Sequence, residues 1–463
     1  MKMKRVLGAL LSVLMVFASL PVQAEETAPS VFFLDAAEEM YRAGGTVSLS
    51  GTVSLKKASD LTDSAKELIN RLLENTMLSL SFSPSAYAFT FAWDGEEYLN
   101  VSEAETENGC VTSVNGYTAG SGERFFEAET GDIPSFTGYS AAAEQIAALV
   151  RGAYDGLVPD GEGTEKTDRS RFTYGGKSRT RTDFVLSDQN AEMIFSPAAE
   201  AVRSACPESP LSGMLDRLCF TGNTVLSVYR AENGACCAVT VKGMAAVNGR
   251  EAALSFRAET GESGTAFSCS LTGTEDKDSC LCSLAIGEER TETALTRTLT
   301  AKTEEKTNGK KKSRETSLRL KERVKDDGSS VAGSVTVTDT DGNKTEKRTF
   351  MPELTVNGGS GNGTVAFSRK TGETVTVSGT VTLASFSVNG LPVSCGAGNM
   401  PDMKQDPDIA YLLLEGEALK GMTRWLSVLP EKDFQLFTHE MRTEEWTEFI
   451  SSRGLTPSDW AVE

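Results

Sequence analysis

Histidine is nearly missing: His439 is the only one in 463 residues. Flanked by Phe437-Thr438 and Glu440-Met441 in a predicted helix, it supplies neither a His-based acid/base system nor a multi-His metal site, and it reads as a surface residue. Long apolar runs are missing as well, except at the start. There MKMKRVLGALLSVLMVFASLPVQA joins basic Lys2, Lys4 and Arg5 to a Leu/Val/Ala-rich run and a small-residue close at Val22-Gln23-Ala24. Residues 1–24 are therefore expected to be a secretory signal peptide cut after Ala24. No cysteine near that cut offers a lipid anchor, no later stretch is apolar enough to span a bilayer, and SDWAVE closes the chain without a hydrophobic tail. The expected location is secreted, periplasmic or at the cell surface, with no transmembrane anchor.

Positive charge is in deficit, 46 basic against 65 acidic residues for a net charge of −19. An acidic whole repels phosphate backbones, which argues against nucleic acid as a partner and favours solubility. Cysteine is not scarce, but its useful spacings are. The nine residues, Cys110, Cys206, Cys219, Cys236, Cys237, Cys269, Cys280, Cys282 and Cys395, contain no C-x-x-C pair, and their odd number cannot pair fully within one chain. Zinc is excluded by that spacing and by the lack of histidine. Two readings stay open: mostly buried, unpaired thiols, or disulfides in which Cys206 joins Cys219 and Cys269 faces Cys282 across a hairpin.

What is abundant is alternation. TVSLSGTVSL places Val47, Leu49, Gly51, Val53 and Leu55 against Thr46, Ser48, Ser50, Thr52 and Ser54, the period of a strand with one wet face. Similar segments recur to Ser387, punctuated by Asn233-Gly234, Asn248-Gly249, Asn308-Gly309, Asp327-Gly328 and Asp341-Gly342. Such pairs tolerate positive φ and close short hairpins, so consecutive strands should be antiparallel neighbours. Helical patterns interrupt them: one after Ser30, one with a capping box at Ser64 and Glu67, one in YSAAAEQIAALVRGAYDGL, and one before Pro430 with Ile409, Leu412, Leu413, Leu419, Met422 and Trp425 on one side. The expected fold is α+β and β-dominated. It has two antiparallel meander modules, as curved sheets or half-barrels, at residues 30–137 and 169–395. A helix and linker at 138–168 separates them, and a helical segment at 396–463 follows.

Several stretches spell chemical motifs. Ser54-x-x-Lys57, Ser113-x-Asn115 and Lys370-Thr371-Gly372 follow the order of penicillin-recognising serine hydrolases. Their setting is wrong: Ser54 lies late in a strand, where positions three apart face opposite ways, and Gly372 is expected at the left-handed position of a bulged turn. Tyr174-Gly-Gly-Lys-Ser178 lacks the upstream glycine of a phosphate loop, where Arg171 stands instead. VTDTDGNKTE would start a calcium loop at Val337, which has no carboxylate. Acidic pairs are scattered without a focus. No catalytic residue, metal site or cofactor is assigned.

Two features rise above this. AYAFTFAW puts Tyr87, Phe89, Phe91 and Trp93 on one face, and the neighbouring segment adds Leu78, Leu80 and Phe82. This set is either a packed core or the lining of a cavity for a lipid-like ligand. The second feature is a basic strand, with Arg319, Lys321, Arg323 and Lys325 on the face opposite Leu318, Leu320 and Val324. Its cations either discourage pairing at an exposed strand edge or bind an anionic envelope polymer or lipid headgroup.

Helices inserted into a long antiparallel meander behind an export signal resemble half-barrel carriers of the LolA type and their lipoprotein-binding relatives, and exported gut-bacterial proteins of the same plan. The resemblance covers residues 31–395 as architecture, with no motif matched residue by residue. It implies a curved sheet around an apolar cavity. The functional expectation is an exported, non-catalytic binding or envelope-associated protein that carries an apolar ligand. The alternatives are a surface scaffold without a small ligand and, least favoured, a serine hydrolase.

Overall fold

The computed structural model describes residues 32–36, 45–121, 165–187, 218–389 and 407–440, apart from a few positions in short connections. Among the described residues twenty strands form one antiparallel sheet. The first meander contains β1 (Thr46–Ala58), β2 (Thr76–Ser83), β3 (Ala86–Trp93), β4 (Glu96–Thr106), β5 (Gly109–Val114) and β6 (Tyr117–Ser121), with helix α1 (Asp63–Glu74) between β1 and β2. The second contains β7 (Glu165–Tyr174), β8 (Lys177–Leu186), β9 (Leu218–Phe220), β10 (Thr224–Arg230), β11 (Cys236–Val247), β12 (Arg250–Gly261), β13 (Gly264–Glu275), β14 (Asp278–Arg290), β15 (Ala294–Thr307), β16 (Lys310–Lys325), β17 (Gly328–Asp341), β18 (Lys344–Asn357), β19 (Ser360–Thr371) and β20 (Thr374–Asn389). Helices α2 (Pro407–Val428) and α3 (Glu431–Glu440) follow.

The two meanders share that sheet because β1 is paired on both sides, with β2 through Val47↔Phe82 and with β20 through Val47↔Val388. From this junction the first meander runs out to β6. The second runs back through β20, β19 and their neighbours to β11, β10, β8 and β7, and β9 shares one edge of β11 with β10. Among the described residues β6 and β7 do not pair with each other, so the sheet is open.

Turn chemistry sets the hairpins. Asp94-Gly95, Asn115-Gly116 and Asn308-Gly309 take positive φ at both residues, the geometry that matches strand twist in two-residue loops. Asn115 of the apparent S-x-N motif is thus a turn residue. Gly372, with φ of 58°, opens a two-residue loop between the paired Thr371 and Thr374, in place of the expected bulged turn. In α1 the capping box is displaced: Thr62, not Ser64, accepts from the Ala65 N–H at 3.1 Å.

Alternation decides burial. On β18, Phe350, Pro352, Leu354 and Val356 turn inward while Met351, Glu353 and Thr355 stay outside. The inner side chains of β15 to β20 join Val47, Leu49, Leu80 and Phe82 in one cluster, which also takes in Phe33 and Leu34 from a helical turn at residues 33–36 and Phe32 just before it. A second cluster sits under the helices, where Leu68 and Leu72 of α1 meet Tyr98, Trp425, Leu426 and Leu429. On α2 the expected Trp425 is buried with Met422 packed against its cluster, but Leu413 is exposed and Leu414 is buried instead. Arg71 of α1 ties this layer to α3 by an ion pair with Asp433 at 2.7 Å.

The apolar core reaches only part of the way along the strands. On β15 Leu295 and Leu299 are buried, and the stretch from Lys302 onward is polar and largely exposed. The adjoining ends of β16 to β19 are also mainly polar, and half-buried to exposed.

Candidate functional site

The aromatic set is divided between clusters. Leu80 and Phe82 are buried in the central cluster, with Tyr87 and Phe89 packed against it. Phe91 and Trp93 lie beneath α1 and α2, and the Phe91 ring meets Trp425 edge-on at 5.2 Å between centroids. Leu78, Leu80 and Phe89 border an apolar pocket of about 20 Å3, completed by Leu49, Val53, Val381 and Leu383.

The most heavily built polar site clamps the turn at residues 33–36, and the sequence patterns had not singled it out. Glu322 is fully buried on β16, and its carboxylate accepts the backbone N–H groups of Phe33 at 2.7 Å and Leu34 at 2.8 Å. Arg297 of β15, only 2% exposed, donates to Asp35 at 2.6 Å, to the Leu34 carbonyl at 3.3 Å and to Glu288 at 3.1 Å. Arg290 binds Asp35 and Glu288 and lies over the Phe32 ring. Burial pushes the Glu322 carboxyl above its ordinary pKa, against the pull of the Phe33 and Leu34 amides. Burial likewise raises Asp35, against Arg297 and Arg290. The signal was readable: Glu322 interrupts the inward series Leu318, Leu320, Val324, and Arg297 stands between Leu295 and Leu299.

The basic strand is not at an edge. β16 pairs with β15 and β17 along its length, so protection of an exposed edge is not the role of its cations. Register places Arg319, Lys321, Arg323 and Lys325 on the outer face, and all but the half-buried Lys321 are exposed. Two arginines on the inner face are satisfied within the sheet: Arg348 binds Asp339 and Glu346, and Arg369 binds Glu346. Desolvation pushes the Glu346 carboxyl up, but Arg369 and Arg348 outweigh it and hold its pKa below the usual value. Asp339, in the calcium-like stretch, is thereby engaged by a guanidinium.

The hydrolase-like motifs are not brought together. Ser54 is exposed on β1 and hydrogen-bonds to the Thr380 carbonyl at 3.5 Å. A bulge between Leu55 and Lys57 puts Ser54 and Lys57 on the same face, contrary to plain alternation. Lys370, half-buried on β19, is two strands away and about 16 Å from Ser54 by strand rise and spacing. Asn115 holds the Glu417 carbonyl of α2 at 2.9 Å. Tyr174 pairs with Lys177, as a hairpin requires, and residues 175–176 lie outside the described residues. So do the linker up to residue 164, the insertion at 188–217 and the His439 side chain.

Cys110, Cys236, Cys237, Cys269, Cys280 and Cys282 are not joined in disulfides. Cys269 pairs with Leu284, and Cys282 with Leu271, so the expected opposition of Cys269 and Cys282 is only diagonal. Burial pushes the Cys269 thiol up to about 12. Among the described residues no helix is long and apolar enough to cross a membrane, and no group of three or more potential ligands could hold a metal.

No protein-family model matches the chain, and no curated protein does. Among solved structures, OmpT, an outer membrane protein of Vibrio cholerae folded in vitro, aligns over 75% of this chain and 98% of its own at 9% identity and a TM-score of 0.23. Its trimer form covers 74% and 97% with the same identity and TM-score. Intact Ap-TbpB, with N and C lobes, covers 75% and 78% at 8% identity and a TM-score of 0.12. Likenesses this low carry no argument about fold or function.

Proposed function

We propose that this chain is an exported, non-catalytic binding protein of the cell envelope, a β-sheet scaffold that makes its contacts through polar strand faces rather than by enclosing a small molecule. The observation that supports this reading is the occupancy of the inner face. Phe32, Phe33 and Leu34 pack into the inner-face cluster, and the pocket of about 20 Å3 beside Leu78, Leu80 and Phe89 has room for about one water. The export assignment rests on the basic start, the apolar run and the small residues before Ala24.

Native mass spectrometry of the purified mature protein tests the reading, together with a lipid-binding screen. The expected result is a bare mass and no lipid uptake. A hydrophobic molecule that co-purifies at one per chain would move the assignment to a carrier. Labelling of Ser54 by an acylating probe would move it to a hydrolase.

A further inference from the structure

We infer that the outer face of β16 binds a linear acidic polysaccharide, held by Arg319, Lys321, Arg323 and Lys325, with Lys347 and Lys370 on the same face about 17 Å and 20 Å from Arg319 by strand rise and spacing. The inference extends the scaffold reading by naming a class of ligand.

The first support is position. β16 is paired on both sides, so its cations protect no edge. They occupy alternate residues, about 6.8 Å apart, and form a row about 20 Å long on a chain of net charge −19. Lys347 and Lys370 face each other directly across β18 and β19 on that same outer face.

The second support is charge sorting. Among the described residues none of these six cations has an ion-pair partner. Some nearby cations do, Lys302 and Lys311 sharing Glu304 and Arg348 and Arg369 being held by Asp339 and Glu346, while among the described residues Lys306, Lys312 and Lys344 have none. Glu322, which interrupts the cation series in sequence, points inward and is consumed by the Phe33 and Leu34 amides. The remaining acids that register places outside on β15 to β19 are Glu304, Glu315 and Glu353. Glu304 is already bridged by two lysines, so positive charge is left over on this face.

The third support is what surrounds the row. Thr296 and Thr298 on β15, and Ser330, Ala332 and Ser334 on β17, make a hydroxyl-rich surround suited to sugar hydroxyls. Aromatic side chains are absent from the outer faces of β15 to β19, because Phe350 and Phe367 turn inward, so bases have nothing to stack on. Met351 is the only large apolar side chain that register puts there, too little to anchor a membrane surface. A polymer with repeated carboxylates or sulfates engages such a row many times over, each contact weak and screened by salt.

The test uses the full mature protein, with polygalacturonate and dextran sulfate as acidic probes and dextran as the neutral control, titrated at low and at high salt. Both acidic polymers are expected to bind at low salt, to be released at high salt, and to outcompete dextran entirely. The variant Arg319→Ser/Lys321→Ser/Arg323→Ser/Lys325→Ser should lose at least tenfold in affinity and Lys347→Gln/Lys370→Gln severalfold. Lys312→Gln/Lys344→Gln, on the inner face, should bind as the parent does. Circular dichroism and melting confirm that each variant folds, and the two-site variant decides the matter if the four-site one does not. The proposal is overturned if neither acidic polymer binds, if the outer-face variants bind equally well, or if anionic phospholipid vesicles or single-stranded DNA are preferred to polysaccharide. A co-purifying apolar ligand would sink the scaffold reading and leave this site standing. Absence of polyanion binding would do the reverse.

Discussion

Glu322→Ala is the perturbation that best isolates how the N-terminal turn is held. In the parent, two carboxylate oxygens satisfy the buried amides of Phe33 and Leu34. Alanine leaves both amides unpaired, at about 1–3 kcal/mol each. Relief of the carboxylate's own desolvation offsets part of this, so local opening becomes easier by about 3 kcal/mol. Burial of Phe32, Phe33 and Leu34 is worth about 5–9 kcal/mol as an upper value, and Arg297 still holds Asp35. The turn should therefore stay docked but open roughly 100-fold more often, at 1.4 kcal/mol per tenfold. Hydrogen exchange read by mass spectrometry on the peptide containing residues 32–36 measures this directly. Strands β11 to β13, remote from the turn, should keep their protection. Unchanged exchange in the turn, alongside a lower urea midpoint for the whole protein, would refute the clamp.

The same site has a pH signature. Burial raises both Glu322 and Asp35, so the folded chain keeps their protons above the pH at which an unfolded chain, with carboxyl pKa values of about 4, releases them. The stability this contributes is complete below the unfolded values and is lost as pH rises through the folded ones. Turn protection, corrected for intrinsic exchange, should decline from pH 4 towards pH 7, and Glu322→Gln should flatten most of that slope. Native alkylation at pH 8 should modify the exposed Cys280 and spare Cys269, whose thiol burial pushes to about 12, until the protein is unfolded. Gly379→Val should lower the melting temperature, with a cost of about 2 kcal/mol or more, because a Cβ there would lie 2.3 Å from the Ser54 carbonyl oxygen and 2.5 Å from the Phe367 ring. Trp425→Ala, which removes the edge-on partner of Phe91, should cost about 3–5 kcal/mol in urea unfolding.

Period-two alternation made the strands legible, and Asn-Gly and Asp-Gly pairs made the hairpins legible, because both signals are local. What stayed hidden was non-local or turned on single-residue offsets. Nothing near Thr46 announces that β1 pairs with β20, more than three hundred residues later, so the sequence alone did not join the two meanders. Nor does a local pattern say whether a strand lies inside a sheet or at its edge, which is why edge protection was a natural expectation for β16. Centring the β13–β14 turn one residue early moves the partner of Cys269 from Leu284 to Cys282. A single bulge near Lys56 likewise reverses the face argument made for Ser54 and Lys57. The aromatic residues of β3 were recognisable as a set, but their division between two clusters depends on α2, which reaches Phe91 from the other end of the chain. The clamp was visible only as two charged residues in apolar positions, Glu322 and Arg297.

Those same offsets bear on why β16 carries cations at all. A one-residue slip of β16 would turn Arg319, Lys321 and Arg323 inward and Leu318 and Leu320 outward, so the cations help to fix its register. Register alone does not need charge, however. β15 is held with Thr296, Thr298 and Thr300 at its outward positions, and β17 with Ser330, Ala332 and Ser334. Serine in place of the four β16 cations keeps the polar-out pattern and relieves repulsion between like charges. The four-site variant should therefore melt within a few degrees of the parent, or slightly above it, while it loses its hold on acidic polymers. If it instead melts far lower and recovers when lysine replaces arginine at positions 319 and 323, the cations serve the sheet itself, and the case for a polysaccharide on this face falls.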